Sequence, residues 1–493
     1  MQSVTGVRRL GASGALAIAA GGTVAGALPV RDPWGLWVPH GSVVTVAGAV
    51  LAYAGLTLLV LAWWAYGRLL AKGEGPGVRD TLVTLGWWAA PLVLAPSLYS
   101  ADVYSYIAQG AMVLDGHDVY THGPSVLAAD SRGADAAASV GGHWTDTPAP
   151  YGPVFLVLAK GVVWVTGGTL VPAVLGMRLI AVAALVLIAW AVRRLAVECG
   201  ADESRALWLA ALNPLLLMHV VGGAHNDGLM IGLMLTGLVL ALRGRWVVGS
   251  AVVALAVLIK SPAALALLFI GVIVVRRGEG SPAQRLPKAL LGPGLVAAAV
   301  AVAATLLGGT GFGWLRTQSV AGTIHTPLSL SSDLGQGLGA LAHALTGAEL
   351  LTVKEAVQSL GLAVAVAAIA FFALGALRGR LHPVRGLGLS LLVLVALSPM
   401  VQPWYLLWGT AVVAATVSAW DDRIVPVLMV LSAALVYETA PSGHTPLHGF
   451  VLAAVACATA VVVVRRGPLT EPGGPGSGGP PAPPARPYAS RPR

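Results

Sequence analysis

Apolar stretches close to twenty residues long recur along this chain of 493 residues, and a segment of that length crosses the ~30 Å hydrocarbon layer of a membrane as a helix. Only 51 residues are Asp, Glu, Lys or Arg, a tenth of the chain, where a soluble protein carries about a quarter. Such a chain cannot be a string of soluble domains. It reads as an all-α polytopic membrane protein, and each charge beside an apolar segment needs its own explanation.

The basic residues set the expected topology. They gather at Arg8/Arg9, Arg68/Lys72/Arg79, Arg193/Arg194/Arg205, Arg243/Arg245, Arg276/Arg277/Arg285/Lys288, Arg378/Arg380/Arg385, Arg423 and Arg465/Arg466, which with three tail arginines makes 23 of the 30. Placing them all on the cytoplasmic side requires an even number of crossings between clusters. The expected spans are 10–30, 41–66, 81–98, 172–192, 206–222, 228–242, 246–259, 262–275, 289–308, 357–377, 386–401, 404–420, 424–438 and 449–464. That is fourteen helices with both termini inside. The basic start and apolar run at the N-terminus suit a signal peptide less well than an uncleaved first helix. The segment 151–168, short and carrying Lys160, is expected to be juxtamembrane or re-entrant. The Lys260-Ser261-Pro262 break divides 246–275 into two short helices, because Pro stops a helix.

Two large extracytoplasmic regions follow, 99–171 and 309–356, within one transmembrane unit over 1–466. The Pro- and Gly-rich tail 467–493 lacks core-forming residues and is expected to be disordered in the cytoplasm. The net charge of +9 comes from the topology clusters and forms no basic face, so nucleic acid is not an expected partner. Cys199 and Cys457 cannot build a disulfide framework. Arg outnumbers Lys 25 to 5 amid abundant Ala, Gly and Val, a composition typical of a high-GC bacterial gene.

The unusual polar residues fall on the outer side. Asp102 in "LYSADVYSYIAQG" precedes apolar residues Val103, Tyr106, Ile107, Ala111 and Leu114 at helical spacing, which predicts an interfacial helix along the outer leaflet. Asp102 is either the helix cap or a functional acid at a membrane face. Asp118, Asp130, Asp135 and Asp146 in the same loop read mainly as solvated acids, with Asp118 and Asp146 the two to follow. The histidines lack the spacing of a helical metal site. His225, Asn226 and Asp227 share a tight outer turn, as caps or as ligands. Lys260 within an apolar hairpin costs about 3 kcal/mol on insertion scales, so it has a function, a salt-bridge partner, or snorkels to the interface. Arg178, Arg316 and His325 pose the same question. Gln402, Trp404 and Tyr405 lie at an outer helix boundary, where aromatics usually form the membrane belt. Trp34, Trp37, Trp144 and Trp314 read the same way.

Together these residues outline a membrane-edge pocket with a carboxylate, cations and aromatics. On a lipid-linked phosphosugar, the carboxylate would take the proton of the attacking hydroxyl. The cations would stabilise the phosphate leaving group, while aromatics such as Tyr104 and amides would orient the sugar. No Walker A or Rossmann fingerprint is visible, and such a transfer needs none.

The segments "YSADVYSYIAQG", "PAPYGPVFLVLAK", "NPLLLMHVVGGAHNDGLMIGL", "LIKSPAAL" and "QPWYLLW", in this order, resemble the actinobacterial polyprenol-phosphate-mannose-dependent α-(1→6)-mannosyltransferases. The likeness runs from roughly residue 40 to 465. It implies the GT-C glycosyltransferase fold and lipomannan-core synthesis. It also implies inverting transfer from a polyprenyl-phosphate-mannose donor to a mannan or phosphatidylinositol-mannoside-type acceptor at a membrane lipid surface. Asp102 would correspond to the general base, although in the simplest GT-C pattern that acid follows the first transmembrane helix, and here it follows the third expected span. By position and charge, Lys260, Arg178, Arg316 and His325 would meet the phosphate or lipid carrier. Tyr104, His225, Asn226, Asp227, Gln402, Trp404 and Tyr405 would bind sugar or acceptor. No metal or other cofactor is expected, with a divalent ion bridging Asp102 and Asp227 the exception left open. The rival readings are an arabinofuranosyl- or glucosyltransferase on the same fold, a lipid-carrier flippase or transporter, and a non-catalytic scaffold using the Pro-rich tail.

Overall fold

The computed structural model describes residues 3–72, 75–278, 280–318, 320, 326–420 and 422–466. The tail 467–493 and His325 lie outside the described residues. Among those residues the secondary structure is helical, without strands. The main helices are α1 (Val4–Ala25), α2 (Ser42–Ala71), α3 (Val78–Val93), α4 (Asp102–Leu114), α5 (Pro153–Thr166) and α6 (Leu170–Cys199). They continue with α7 (Glu203–Ala210), α8 (Pro214–Gly222), α9 (Asp227–Leu242), α10 (Trp246–Val257), α11 (Leu265–Arg277) and α12 (Pro282–Gly308). The remainder are α13 (Leu330–Thr346), α14 (Leu350–Leu377), α15 (Pro383–Leu397), α16 (Leu406–Ala414), α17 (Ile424–Leu435) and α18 (Leu447–Arg466).

Five of these helices, α2, α6, α12, α14 and α18, are long and apolar enough to cross a membrane by themselves, and α7 with α8 passes the same test only as a pair bent by 50°, the form of a broken span or a re-entrant loop. Leu290, Leu306, Leu307, Phe371 and Val455 on the outer helices are exposed. An apolar outer surface of this kind belongs in lipid, and the chain is a multi-pass membrane protein. Other expected spans coincide with shorter apolar helices such as α9, α10, α15 and α17. The segment expected at 404–420 has only nine α-helical residues in α16, about 14 Å of helix, too little to cross unaided.

The bend between α7 and α8 has a local cause. Pro214 opens α8, and the Asn213 side chain accepts from Leu215 N at 3.0 Å while donating to Ser432 Oγ at 2.8 Å. Leu217–Gly222 then continues as a π-helix, a form concentrated at functional sites.

The tightest helix pair is α1 with α2. Gly14 faces Gly55 and Gly21 faces Gly48 so closely that a Cβ on Gly14 would stand 2.6 Å from Gly55 O, and one on Gly55 2.5 Å from Gly14 O. A Cβ on Gly21 would meet Gly48 O at 2.4 Å, and the converse distance is 2.8 Å. Small residues of this kind let backbones approach in a membrane, where burial in lipid gives little drive to pack. Deeper in the protein, Trp63 Nε1 donates to Trp208 O at 2.9 Å and Trp208 Nε1 to Trp63 O at 2.8 Å, with the rings stacked.

One expectation is corrected. Helix α4 does not lay an apolar face on a leaflet with its polar face open, since every residue from Val103 to Met112 is buried, polar Ser105 and Gln109 included. The reason is close packing on α5: a Cβ on Gly110 would stand 2.6 Å from the Ala159 carbonyl oxygen. Gln109 Nε2 is satisfied inside the protein by Ser105 Oγ at 3.0 Å. Within the described residues of the 309–356 region, α13 lies against α14.

Candidate functional site

Two loops at one end of the bundle place the site's carboxylates. Tyr99 (φ 61°) and Ala224 (φ 54°) adopt left-handed backbone, which costs a non-glycine residue about 1–2 kcal/mol. The loops are joined by Leu98 N donating to Gly222 O at 3.0 Å, and the first is tied to the C-terminal region by Tyr99 N donating to Pro441 O at 2.9 Å. Three residues after each strained position a helix begins with an aspartate, Asp102 for α4 and Asp227 for α9. Neither is a cap in the usual sense: the N-cap residues are Ala101 and Asn226, and neither makes a side-chain cap bond. An acid in a helix's first turn is favoured in its ionised form.

The side chain of Asp102 is 26% exposed, and its Oδ2 lies 3.3 Å from Nδ1 of the fully buried His225. Tyr106 OH donates to the same oxygen at 3.5 Å, and Ser100 Oγ accepts from Asp102 N at 3.0 Å. Burial pushes the Asp102 carboxyl up, but the neighbouring His225, Lys260 and Ser100 outweigh it and hold it below the ordinary carboxylate value. Asp102 is therefore an anion at neutral pH.

Asp227 by contrast is closed off from the cavity, with its side chain 0% exposed. Lys260 Nζ donates to both oxygens at 2.9 Å, Trp404 Nε1 to Oδ2 at 3.2 Å, and Trp408 Nε1 to Oδ1 at 2.7 Å. These contacts occupy the four acceptor positions of a carboxylate. They do not fit a divalent ion shared with Asp102, and among the described residues no group of three or more His, Cys, Asp or Glu converges. Lys260 also lies over the rings of Tyr405 (4.5 Å) and Trp408 (5.5 Å), so the charge pair is enclosed by cation–π contacts as well.

A cavity of about 490 Å³ opens on this arrangement, and Asp102, Lys260, Gln402, Trp404, Tyr405 and Trp408 are among its lining residues. Its wall continues through Tyr151, Gln318 and Trp144 to Leu362 and Leu394 on the outer helices. One cavity thus joins a polar floor to an apolar mouth. Behind the floor, His225 stacks on Trp404 with ring centroids 3.8 Å apart, and His219 of the π-helix lies 4.9 Å from the same indole.

The structure brings together Asp102, Lys260, Gln402, Trp404 and Tyr405 of the expected residues, with His225 and Asp227 directly behind them. Asn226 is buried beside them and off the lining. Three expectations move. Arg178 does not reach the cavity; it is buried, and its guanidinium donates to the carbonyls of Leu92 and Pro96. These are orphan acceptors at the end of α3, where the helix has stopped. Tyr104 points to the other side of α4, donating to Ala27 O at 2.6 Å. Arg316 is exposed in the short turn Trp314–Thr317, off the lining, and the same turn delivers Gln318 instead. Asp118 and Asp146 staple their loops, accepting from Tyr120 N at 2.9 Å and Ser125 Oγ at 2.6 Å.

Sequence reasoning did not single out Tyr151, Gln318, Trp408 or His219. Trp408 had a usable signal, standing four residues after Trp404 and hence on one helical face. The signals for Tyr151 and Gln318 were spatial, because distant loops carry them to the wall.

Residues 8–276 match the family described as alpha-(1->6)-mannopyranosyltransferase, N-terminal domain, and residues 331–466 match the MptB C-terminal domain. An alpha-(1->6)-mannopyranosyltransferase of Mycobacterium tuberculosis is 33% identical over 93% of this chain and 86% of its own length. Alpha-(1->6)-mannopyranosyltransferase A of the same organism is 32% identical over 94% and 90%. Alpha-(1->6)-mannopyranosyltransferase B of Corynebacterium glutamicum is 32% identical over 85% and 73%. No solved structure matches the chain.

Proposed function

The chain belongs to the alpha-(1->6)-mannopyranosyltransferase family of glycosyltransferases, and on that premise we propose that it transfers mannose from polyprenyl-phosphate-mannose to an α-(1→6)-mannan or lipomannan acceptor. The observation that carries the reading is that Asp102 is the acid on the cavity wall among the described residues, ionised and open to a substrate. Asp227, the other acid at this end, is closed off by Lys260 and two indoles.

The chemistry is a single displacement with inversion. The acceptor's 6-hydroxyl attacks the anomeric carbon, its proton passes to an Asp102 oxygen, and the bond from that carbon to the phosphate oxygen breaks, its electron pair leaving with polyprenyl phosphate. His225 holds the carboxylate in place from behind. Lys260 uses two of its three donors on Asp227, and the third faces the growing charge on the phosphate. Trp404, Tyr405, Trp408 and Tyr151 offer flat faces to the sugar, and the apolar mouth at Leu362 and Leu394 suits the prenyl chain. The reading includes a GT-C arrangement in the bacterial cytoplasmic membrane, with the cavity extracytoplasmic and both termini inside. It is supported by the basic residues at the far ends of α9, α10 and α11, and it invokes no metal.

The test is transfer of labelled mannose from polyprenyl-phosphate-mannose to a short α-(1→6)-mannoside by the purified protein, beside Asp102→Asn, with EDTA in a parallel set. Transfer by the wild type that resists EDTA and is lost in the folded variant supports the reading. Near-normal turnover by Asp102→Asn removes Asp102 from the mechanism. A wild type silent with mannose and active with an arabinofuranosyl or glucosyl donor overturns the choice of sugar.

A further inference from the structure

The bundle has a second polar cavity, of about 470 Å³, at the end away from Asp102, lined by Arg243, Arg277, Arg285 and Lys288 together with Trp246 and apolar residues. Three helices run from one cavity to the other. Helix α9 starts at Asp227 and ends at Leu242 on the second lining, 16 residues or about 24 Å of helix. Helix α10 runs back from Trp246 toward Lys260, and α11 returns from Leu265, three residues past Pro262, to Arg277. The two cavities therefore share walls without sharing a ligand.

We infer that this second cavity binds the phosphate group of an anionic ligand, with a negatively charged phospholipid headgroup as the source its surroundings favour. Four cations converge on it, and no acid lines it among the described residues; Glu198, outside the lining, takes Arg243 Nε at 2.8 Å. Helix ends hold two of the guanidinium groups in place. Arg277 Nη1 donates to Leu242 O at 3.2 Å, and Arg285 Nη1 to Val275 O at 2.9 Å. Anchored this way, an arginine loses little freedom when it grips a phosphate. Arg285 Nε is buried without a hydrogen-bond partner among the described residues, a donor that an anion would satisfy. Leu242, Ile273 and Trp246 give the same cavity an apolar wall, which matches an amphiphile better than a free ion. Basic clusters that only orient a chain in a membrane need not share a cavity, whereas these four line one. Basic pockets between membrane helices are where phosphorylated headgroups bind.

The experiment uses the full chain in neutral detergent, with its Tm followed while phosphatidylglycerol, phosphatidylcholine of the same acyl chains, or inorganic phosphate is added. The expected result is a rise of about 2–4 °C with phosphatidylglycerol, none with phosphatidylcholine, and loss of most of the rise in Arg285→Gln/Lys288→Gln. An equal rise with inorganic phosphate keeps the site and assigns it to a free anion. Lys288 is exposed, so Lys288→Gln alone preserves the fold and is expected to weaken the response should the double variant not fold. The same rise with phosphatidylcholine, no rise with any probe, or an undiminished rise in the folded variants overturns the inference.

Discussion

Asp102 and Asp227 each follow by three residues a non-glycine residue in left-handed backbone, and each is the first residue of a buried helix. Their local geometry is nearly a repeat, yet their surroundings differ. Asp227 receives a lysine and two indoles from segments 33 to 181 residues away, and no oxygen of it faces the cavity. Asp102 has a histidine and a tyrosine on one side and open space on the other. Backbone chemistry decides where a carboxylate stands, and distant packing decides whether it is closed into a cross-link or left open to the cavity.

Asp102→Asn gives the largest expected effect, a fall in transfer rate of about 10²–10⁴-fold with a smaller loss of stability than Asp227→Asn, read by labelled-mannose transfer beside thermal unfolding. Asp227→Asn should show the reverse emphasis. It leaves Lys260 without its carboxylate and costs stability of about 3–5 kcal/mol, toward the lower end because the lysine is 18% exposed. Chemical unfolding measures that loss, and Lys260→Met added to Asp227→Asn should recover part of it. If Asp227→Asn abolished transfer at unchanged stability while Asp102→Asn did neither, the two roles would have to be exchanged.

Smaller effects sharpen the contrast. Trp408→Phe keeps an aromatic ring but removes the indole donor 2.7 Å from Asp227, and about 1.5–3 kcal/mol of stability should go with it. Lowering the pH acts on Asp102 instead. Its carboxyl titrates below the ordinary value in the folded protein, so its stabilising contribution is complete above about pH 4 and is lost as pH falls through the folded value. A rate profile on intact protein should accordingly stay flat through mild acid and decline only below the usual carboxylate range. Ala224→Gly is the mildest change. It relieves a left-handed alanine and should raise stability by about 0.5–1 kcal/mol, visible as a small rise in Tm.

Much of the fold was legible because apolar length and basic clusters report directly on a membrane. The wall positions of Asp102, Lys260 and Gln402 to Tyr405 were legible too, since a polar residue beside an apolar run stands out by cost alone. That same rule misled at Arg178. A charge in a helix looks functional until the carbonyls of Leu92 and Pro96 are seen around it, and they lie more than eighty residues earlier in the chain. Helical spacing put Tyr106 on an apolar stripe and left Tyr104 for the sugar, yet Tyr106 is the one that turns toward Asp102. The burial of α4 was hidden in Gly110, whose lack of a side chain lets α5 press against it. Periodicity records which face is apolar and says nothing of a neighbour that covers the polar face as well.

The paired glycines of α1 and α2 bear on how the enzyme is made. A ribosome delivers the chain from its N-terminus, so Gly14, Gly21, Gly48 and Gly55 have all been synthesised before Asp102 exists. The first hairpin can therefore close on itself as an early clasp, and the end of the bundle that carries the Asp102 cavity is assembled later onto a foundation already set. A methyl group added at Gly14 or Gly55 would disturb that order of assembly at its first step, some 45 residues before the first residue of the cavity is made.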